Sequence, residues 1–180
     1  MPFVPQFTFD RAADRRRART VLQRLPVLKG KPIRIQSARG LRDRHGPVHA
    51  GSFLRERRIA FDCTRAEFPR IFVHEVFHFA WVRLGNPARR AYEQVVRAEC
   101  AMAVAGELGW SAEWRKRELV AADLRLRTRR WREYCCESFC DTAAWLYSGI
   151  GRHPEFTLPA RSRRLRRIWF HGIEQRGFSL

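Results

Sequence analysis

Ile71-Phe72-Val73-His74-Glu75-Val76-Phe77-His78-Phe79-Ala80-Trp81 sets two histidines and a glutamate inside an otherwise apolar run. Residues 74–78 spell His-Glu-x-x-His. Along a helix four residues advance about 400°, so His74 and His78 project about 40° apart on one face, with Glu75 beside them. One metal ion can be held there, and the spacing suits zinc. In a chain of this histidine and glutamate content, chance would produce the pattern in about one to two sequences per hundred. Burying three titratable groups on a helix with no polar face is also costly unless something coordinates or pairs them.

The surrounding residues predict how this run is mounted. Thr64-Arg65-Ala66-Glu67 has capping-box form and Pro69 suits a first helical turn. The motif helix is therefore expected to start between them and run to Leu84, with Gly85 as its stop. Apolar residues from Ile71 to Val82 leave it no solvent face, which marks it as the central helix. Upstream, residues 10–24 read as a surface helix ended by Pro26, and Lys31–Gln36, 48–54 and 57–63 read as strands on either side of a turn-rich 39–47. Downstream, Ala88–Leu108 reads as an amphipathic helix, 111–127 as a charged one, and 130–147 as one dense in aromatic and small residues. Residues 161–176 form a last basic helix with Leu165, Ile168, Trp169 and Ile173 as its apolar stripe. The expected fold is α+β and a single domain over 1–180, with a small sheet in about 1–63, the motif helix in 66–84 and a helical part in 87–180.

Net charge is +18, carried by 33 Arg and only 3 Lys. Clusters such as Arg15-Arg16-Arg17 and Arg163-Arg164 with Arg166-Arg167 suit weak binding of nucleic acid or acidic surfaces. Against that stands the plainer reading of Arg as the default surface cation, since the clusters are dispersed and no aromatic pattern interleaves them. His45, His49 and His171 lie in polar or basic stretches and read as surface residues. No stretch reaches the roughly 18 apolar residues of a membrane span, and Met1–Asp10 has no signal-peptide pattern, so no membrane association and a cytoplasmic location are expected. Five cysteines, three of them crowded at 135, 136 and 140, suit reduced thiols better than a disulfide framework.

Two histidines do not complete a catalytic zinc shell, which normally takes three protein ligands. The extended pattern His-Glu-x-x-His-x-x-Gly-x-x-His is excluded, because Trp81 and Leu84 occupy the Gly and final His positions. Farther on, Glu137 and Asp141 are four apart in Cys136-Glu137-Ser138-Phe139-Cys140-Asp141 and share a helical face. Glu99 and Glu133 are rival third ligands, and Cys135, Cys136 and Cys140 are candidate thiolate ligands that read more simply as small buried residues.

With these residues in view, the stretch from about 57 to 148 resembles the gluzincin metallopeptidases, in which a Glu-x-x-x-Asp helix completes the His-Glu-x-x-His site. The resemblance implies a zincin-like fold in minimal form and a zinc-dependent hydrolase of peptide bonds acting on a protein or peptide substrate. It implies one catalytic Zn2+ on His74, His78 and Glu137, with Asp141 fixing the imidazole of His74 and Glu75 as general base. Tyr134, Tyr147, Arg152 and His153, all near the ligand helix, are the candidates for stabilising the transition state. Two departures are plain: the interval from His78 to Glu137 is long for compact members, and 180 residues leave no room for the substrate-binding lobe of larger ones. Alternatives from another class are a nucleic-acid-associated basic protein with a structural metal, or a protease brought to DNA-bound proteins by its charge.

Overall fold

The computed structural model describes residues 6–43 and 46–180, so His45 and Met1–Pro5 lie outside the described residues. In chain order the elements are β1 (Phe7–Phe9), α1 (Ala12–Leu22), β2 (Leu28–Lys29), β3 (Ile33–Ser37), β4 (Arg42–Asp43), β5 (Gly46–Pro47), β6 (Ala50–Phe53) and β7 (Arg58–Phe61). Then come α2 (Phe68–Arg83), α3 (Asn86–Ala101), α4 (Trp110–Arg117), α5 (Ala121–Leu126), α6 (Arg129–Tyr147), α7 (Ala160–Glu174) and β8 (Phe178–Ser179). The class is α+β, as expected. Among the described residues no helix is long and apolar enough to cross a membrane.

Alternation builds the main sheet. Ile33 and Ile35 of β3 are fully buried while Arg34 between them is exposed, the period-two pattern of a half-buried strand. The strand order is β1-β3-β7-β6, with β1, β3 and β7 parallel and β6 antiparallel to β7 at the edge. β7 and β6 stand where strands were expected. β1 was not expected, nor was the parallel pair of β2 with the C-terminal β8.

The motif helix is α2. Pro69 sits in its first turn, and Thr64 receives the amide of Glu67 on its hydroxyl at 3.3 Å and that of Phe68 on its carbonyl at 3.2 Å. Its buried residues run nearly without a break from Phe68 to Trp81, but Val82 is 43% exposed, so the helix does have a narrow solvent edge at its end. α2 lies between the sheet and α6, and Phe77 is the pivot of the core. Its ring centroid is 5.5 Å from Tyr147, 5.8 Å from Phe139 and 5.1 Å from Phe178.

Three helical expectations are corrected. α3 stops at Ala101, well short of Leu108, because the chain turns at Ala103 (φ +51°) and Gly106 (φ +80°) to carry Glu107 back into the core. There Glu107 and Glu99 clamp the guanidinium of Arg166, with Nη1 2.7 Å from Glu107 and Nη2 2.5 Å from Glu99. The charged stretch 111–127 is two helices, α4 and α5, separated by a break at residues 118–120. On α7 the inward face is Ser162, Arg166 and Phe170; of the expected stripe Trp169 and Ile173 pack against the core, while Leu165 and Ile168 are 42% and 58% exposed. Arg166 is thus a core cation rather than part of a basic surface. Arg17 is also engaged, donating to the Cys63 carbonyl at 2.7 Å and lying 4.3 Å over the Phe68 ring.

Candidate metal centre

α2 and α6 pack face to face and bring three donors together from positions 74, 78 and 137. His74 Nε2 and His78 Nε2 are 3.1 Å apart, and Glu137 Oε2 lies 3.2 Å from the first and 3.9 Å from the second. For a tetrahedral ion with bonds of about 2.0–2.2 Å, neighbouring donors stand about 3.3–3.6 Å apart, so these three separations bracket the fit. The geometry follows from the sequence: an i, i+4 pair on one helix meets an inward carboxylate on its neighbour.

Protonation sharpens the fit. His74 Nδ1 faces Asp141 Oδ1 at 2.7 Å, which keeps its proton on Nδ1 and leaves the Nε2 lone pair, in the neutral ring, aimed at His78 and Glu137. The two Nε2 atoms, 3.1 Å apart, share a hydrogen in the absence of metal, and the carboxylate beside them favours positive charge at this point. Burial alone would push His74 down, but Asp141 and Glu137 outweigh it and hold the imidazole well above its ordinary value. For His78 burial is likewise outweighed, by Cys136 and Glu137, and its value rises to about 9. Glu137, against the opposing effect of burial, is drawn down to about 2 by His78, His74 and Arg115. A divalent cation answers the same field by displacing those protons. The residues present therefore fit a metal ion.

Asp141 is itself pinned. Its Oδ2 receives the amide of Ala112 at 3.1 Å, one of the first-turn N–H groups of α4 that have no partner within that helix. A Cβ built on Gly109 would lie 2.3 Å from the Asp141 carboxylate, so only glycine lets the chain pass here. α4 also supplies Arg115, whose Nη2 is 3.4 Å from Glu137 Oε1, leaving Oε2 for the histidines. On the far side of the pair, Cys136 Sγ is 3.5 Å from His78 Nδ1. A hydrogen bond from the Cys140 thiol, with His78 beside it, holds the Cys136 thiol below its ordinary value despite burial.

Glu75 is met from the sheet edge. The Ser52 hydroxyl of β6 reaches both Glu75 Oε2, at 2.5 Å, and the Glu75 carbonyl, at 2.9 Å. The edge strand is thereby tied to the residue between the two ligands.

The remaining candidates sit elsewhere. The Tyr134 hydroxyl is buried and donates to Glu107 Oε1 at 2.6 Å; that of Tyr147 donates to Glu174. His153 Nε2 is 3.2 Å from Glu67 at the start of α2, and Arg152 is exposed. None of these four is brought to the His74–Glu137 cluster by a contact. Of the rival ligands, Glu99 is taken by Arg166, and Glu133 pairs with Arg129 at 2.7 Å on the outer face of α6. Ser52, Gly109 and Arg115 were not singled out in the sequence. Ser52 lies in no motif, Gly109 looks like an ordinary helix break, and Arg115 is one of 33 arginines. The chain matches no protein-family model, no curated protein and no solved structure.

Proposed function

We propose that the chain is a zinc-dependent hydrolase of peptide bonds, of gluzincin type and zincin-like fold in minimal form. The observation that carries this reading is the convergence of His74 Nε2, His78 Nε2 and Glu137 Oε2 in one cluster able to hold a metal ion. Its two nitrogens and one oxygen are the donor set of catalytic zinc sites that keep one position open. A zinc ion held there supplies a Lewis acid that acidifies water and polarises a carbonyl.

The other roles belong to the chain's own residues. Asp141 keeps the His74 proton on Nδ1, and Arg115 turns Glu137 so that one oxygen faces the histidines. Glu75 is the general base: it takes a proton from the attacking water and delivers it to the leaving amine nitrogen. Ser52 holds the Glu75 carboxylate ready from the strand side. That strand, β6, ends the sheet order, so its outer edge is free among the described strands to pair with an extended peptide beside Glu75. Five free thiols support a reducing compartment such as the cytoplasm.

The test is cleavage of a denatured protein substrate by the zinc-loaded full chain and by Glu75→Gln. Removing the base is expected to lower the rate by about 10²–10⁴-fold while zinc stays bound. Undiminished cleavage by the variant would sink the reading.

A further inference from the structure

His78 faces two donor sets at once. Its Nε2 belongs to the cluster with His74 and Glu137, while its Nδ1 is 3.5 Å from Cys136 Sγ. Behind Cys136 stands Cys140, four residues on along α6 and fully buried. The ligand atoms of His78, Cys136 and Cys140 all lie within 4.8 Å of one another. Neither cysteine is in a disulfide.

We propose that His78 Nδ1, Cys136 Sγ and Cys140 Sγ form a second metal site, for a thiophilic d10 ion of the class of Cd2+ or Cu+. The inference goes beyond the peptidase reading and does not depend on it. Tetrahedral bonds of about 2.3 Å to sulfur and 2.05 Å to nitrogen put those atoms about 3.5–3.6 Å apart, which matches the Cys136–His78 separation. Two thiolates neutralise a divalent ion in a buried place, and soft sulfur donors select soft ions over Mg2+ or Ca2+. A plain hydrogen bond to the imidazole accounts for Cys136 alone; it leaves unexplained a second thiol turned to the same point. Cys136 and His78 are both only partly buried, so an ion can approach. Binding releases the two thiol protons to solvent. Where an ion already occupies Nε2, the imidazole N–H proton leaves as well, and the ring bridges the two sites. A thiophilic ion therefore acts directly on a ligand of the first site.

The probe is Cd2+, added to the reduced full chain after it has been loaded with zinc. Thiolate-to-cadmium charge-transfer absorption is expected to appear with the strength of two thiolates. Cys136→Ser and Cys140→Ser should each weaken cadmium binding at least about tenfold. Cys63→Ser and Cys100→Ser should leave the band unchanged. If buried Cys140 does not tolerate serine, the half-buried Cys136 still decides the matter. Glu137→Gln separates the two readings: it is expected to lose zinc from the first site and keep the cadmium band. Zinc that depended on both cysteines but not on Glu137 would leave this inference standing and defeat the peptidase reading. Cadmium binding without thiolate absorption, or a band that survives Cys136→Ser, would overturn the inference.

Discussion

His74 is gripped at both ring nitrogens, and the two contacts act differently. Nε2 meets the other donors, whereas Nδ1 meets an Asp141 carboxylate that cannot move, because Ala112 and Gly109 enclose it. Asp141→Asn keeps the shape but lets the amide offer a hydrogen to Nδ1. Metal affinity is expected to fall about 10–100-fold, read by competition with a chelator; unchanged affinity would mean that Asp141 only caps α4. Ser52→Ala removes the hydroxyl that holds Glu75. The turnover rate should drop about tenfold, a fraction of the roughly 10²–10⁴ that a general base contributes, with zinc content unaltered. At this scale the sequence showed what had a spacing. His74, Glu75 and His78 stand in one motif, and Glu137 with Asp141 in a second. Ser52 and Arg115 act across space from β6 and α4, and no interval along the chain announces them.

Elements place these residues, and α4 does more than its eight residues suggest. It offers its first-turn amide to Asp141 and its side chain Arg115 to Glu137, so its register sets both ends of the ligand helix pair. Gly109→Ala would drive a methyl group into the Asp141 carboxylate. The expected result is a loss of about 1–3 kcal/mol in stability, measured by denaturant, together with weaker metal binding. Loss of stability alone would separate the packing role of Gly109 from the site. The motif helix was legible in the sequence because Pro69 and a long, largely apolar run agree, although its N-cap is Glu67 and not the expected Thr64. The end of α3 was not. Ala101–Ala105 favours helix locally, and what stops it is the long-range demand of Arg166 for two carboxylates, Glu99 and Glu107. Strands of two or three residues such as β1, β2 and β8 are too short to show alternation.

In the molecule as a whole, the excess of arginine hides one residue of a different kind. Arg166 is fully buried and joins α7 to α3 and to the loop before α4 through Glu99 and Glu107. Arg166→Ala would strand two buried carboxylates, at an expected cost of about 3–5 kcal/mol. Burial opposes the charge on Glu107, but Arg166 and Lys116 outweigh it and hold the carboxyl below its ordinary value. A depressed folded value stabilises above the unfolded one and is lost as protons arrive. The Glu107 contribution should therefore be complete above about pH 4.3 and fade as the pH falls below it. Melting curves between pH 3 and pH 6, taken as a test range around that value, should show a slope that flattens in Glu107→Gln. An equal slope in both proteins would remove Glu107 as its source. The charge pattern alone hid this, since Arg166 reads in sequence as one of a surface cluster. Metal content, measured on full-length wild type, Glu75→Gln, His78→Ala and Glu137→Gln purified side by side and given zinc, tests the account at its centre. About one tightly held ion per chain is predicted for the first two proteins, and a large loss for the last two. Full occupancy in both His78→Ala and Glu137→Gln, or none in wild type, would contradict it.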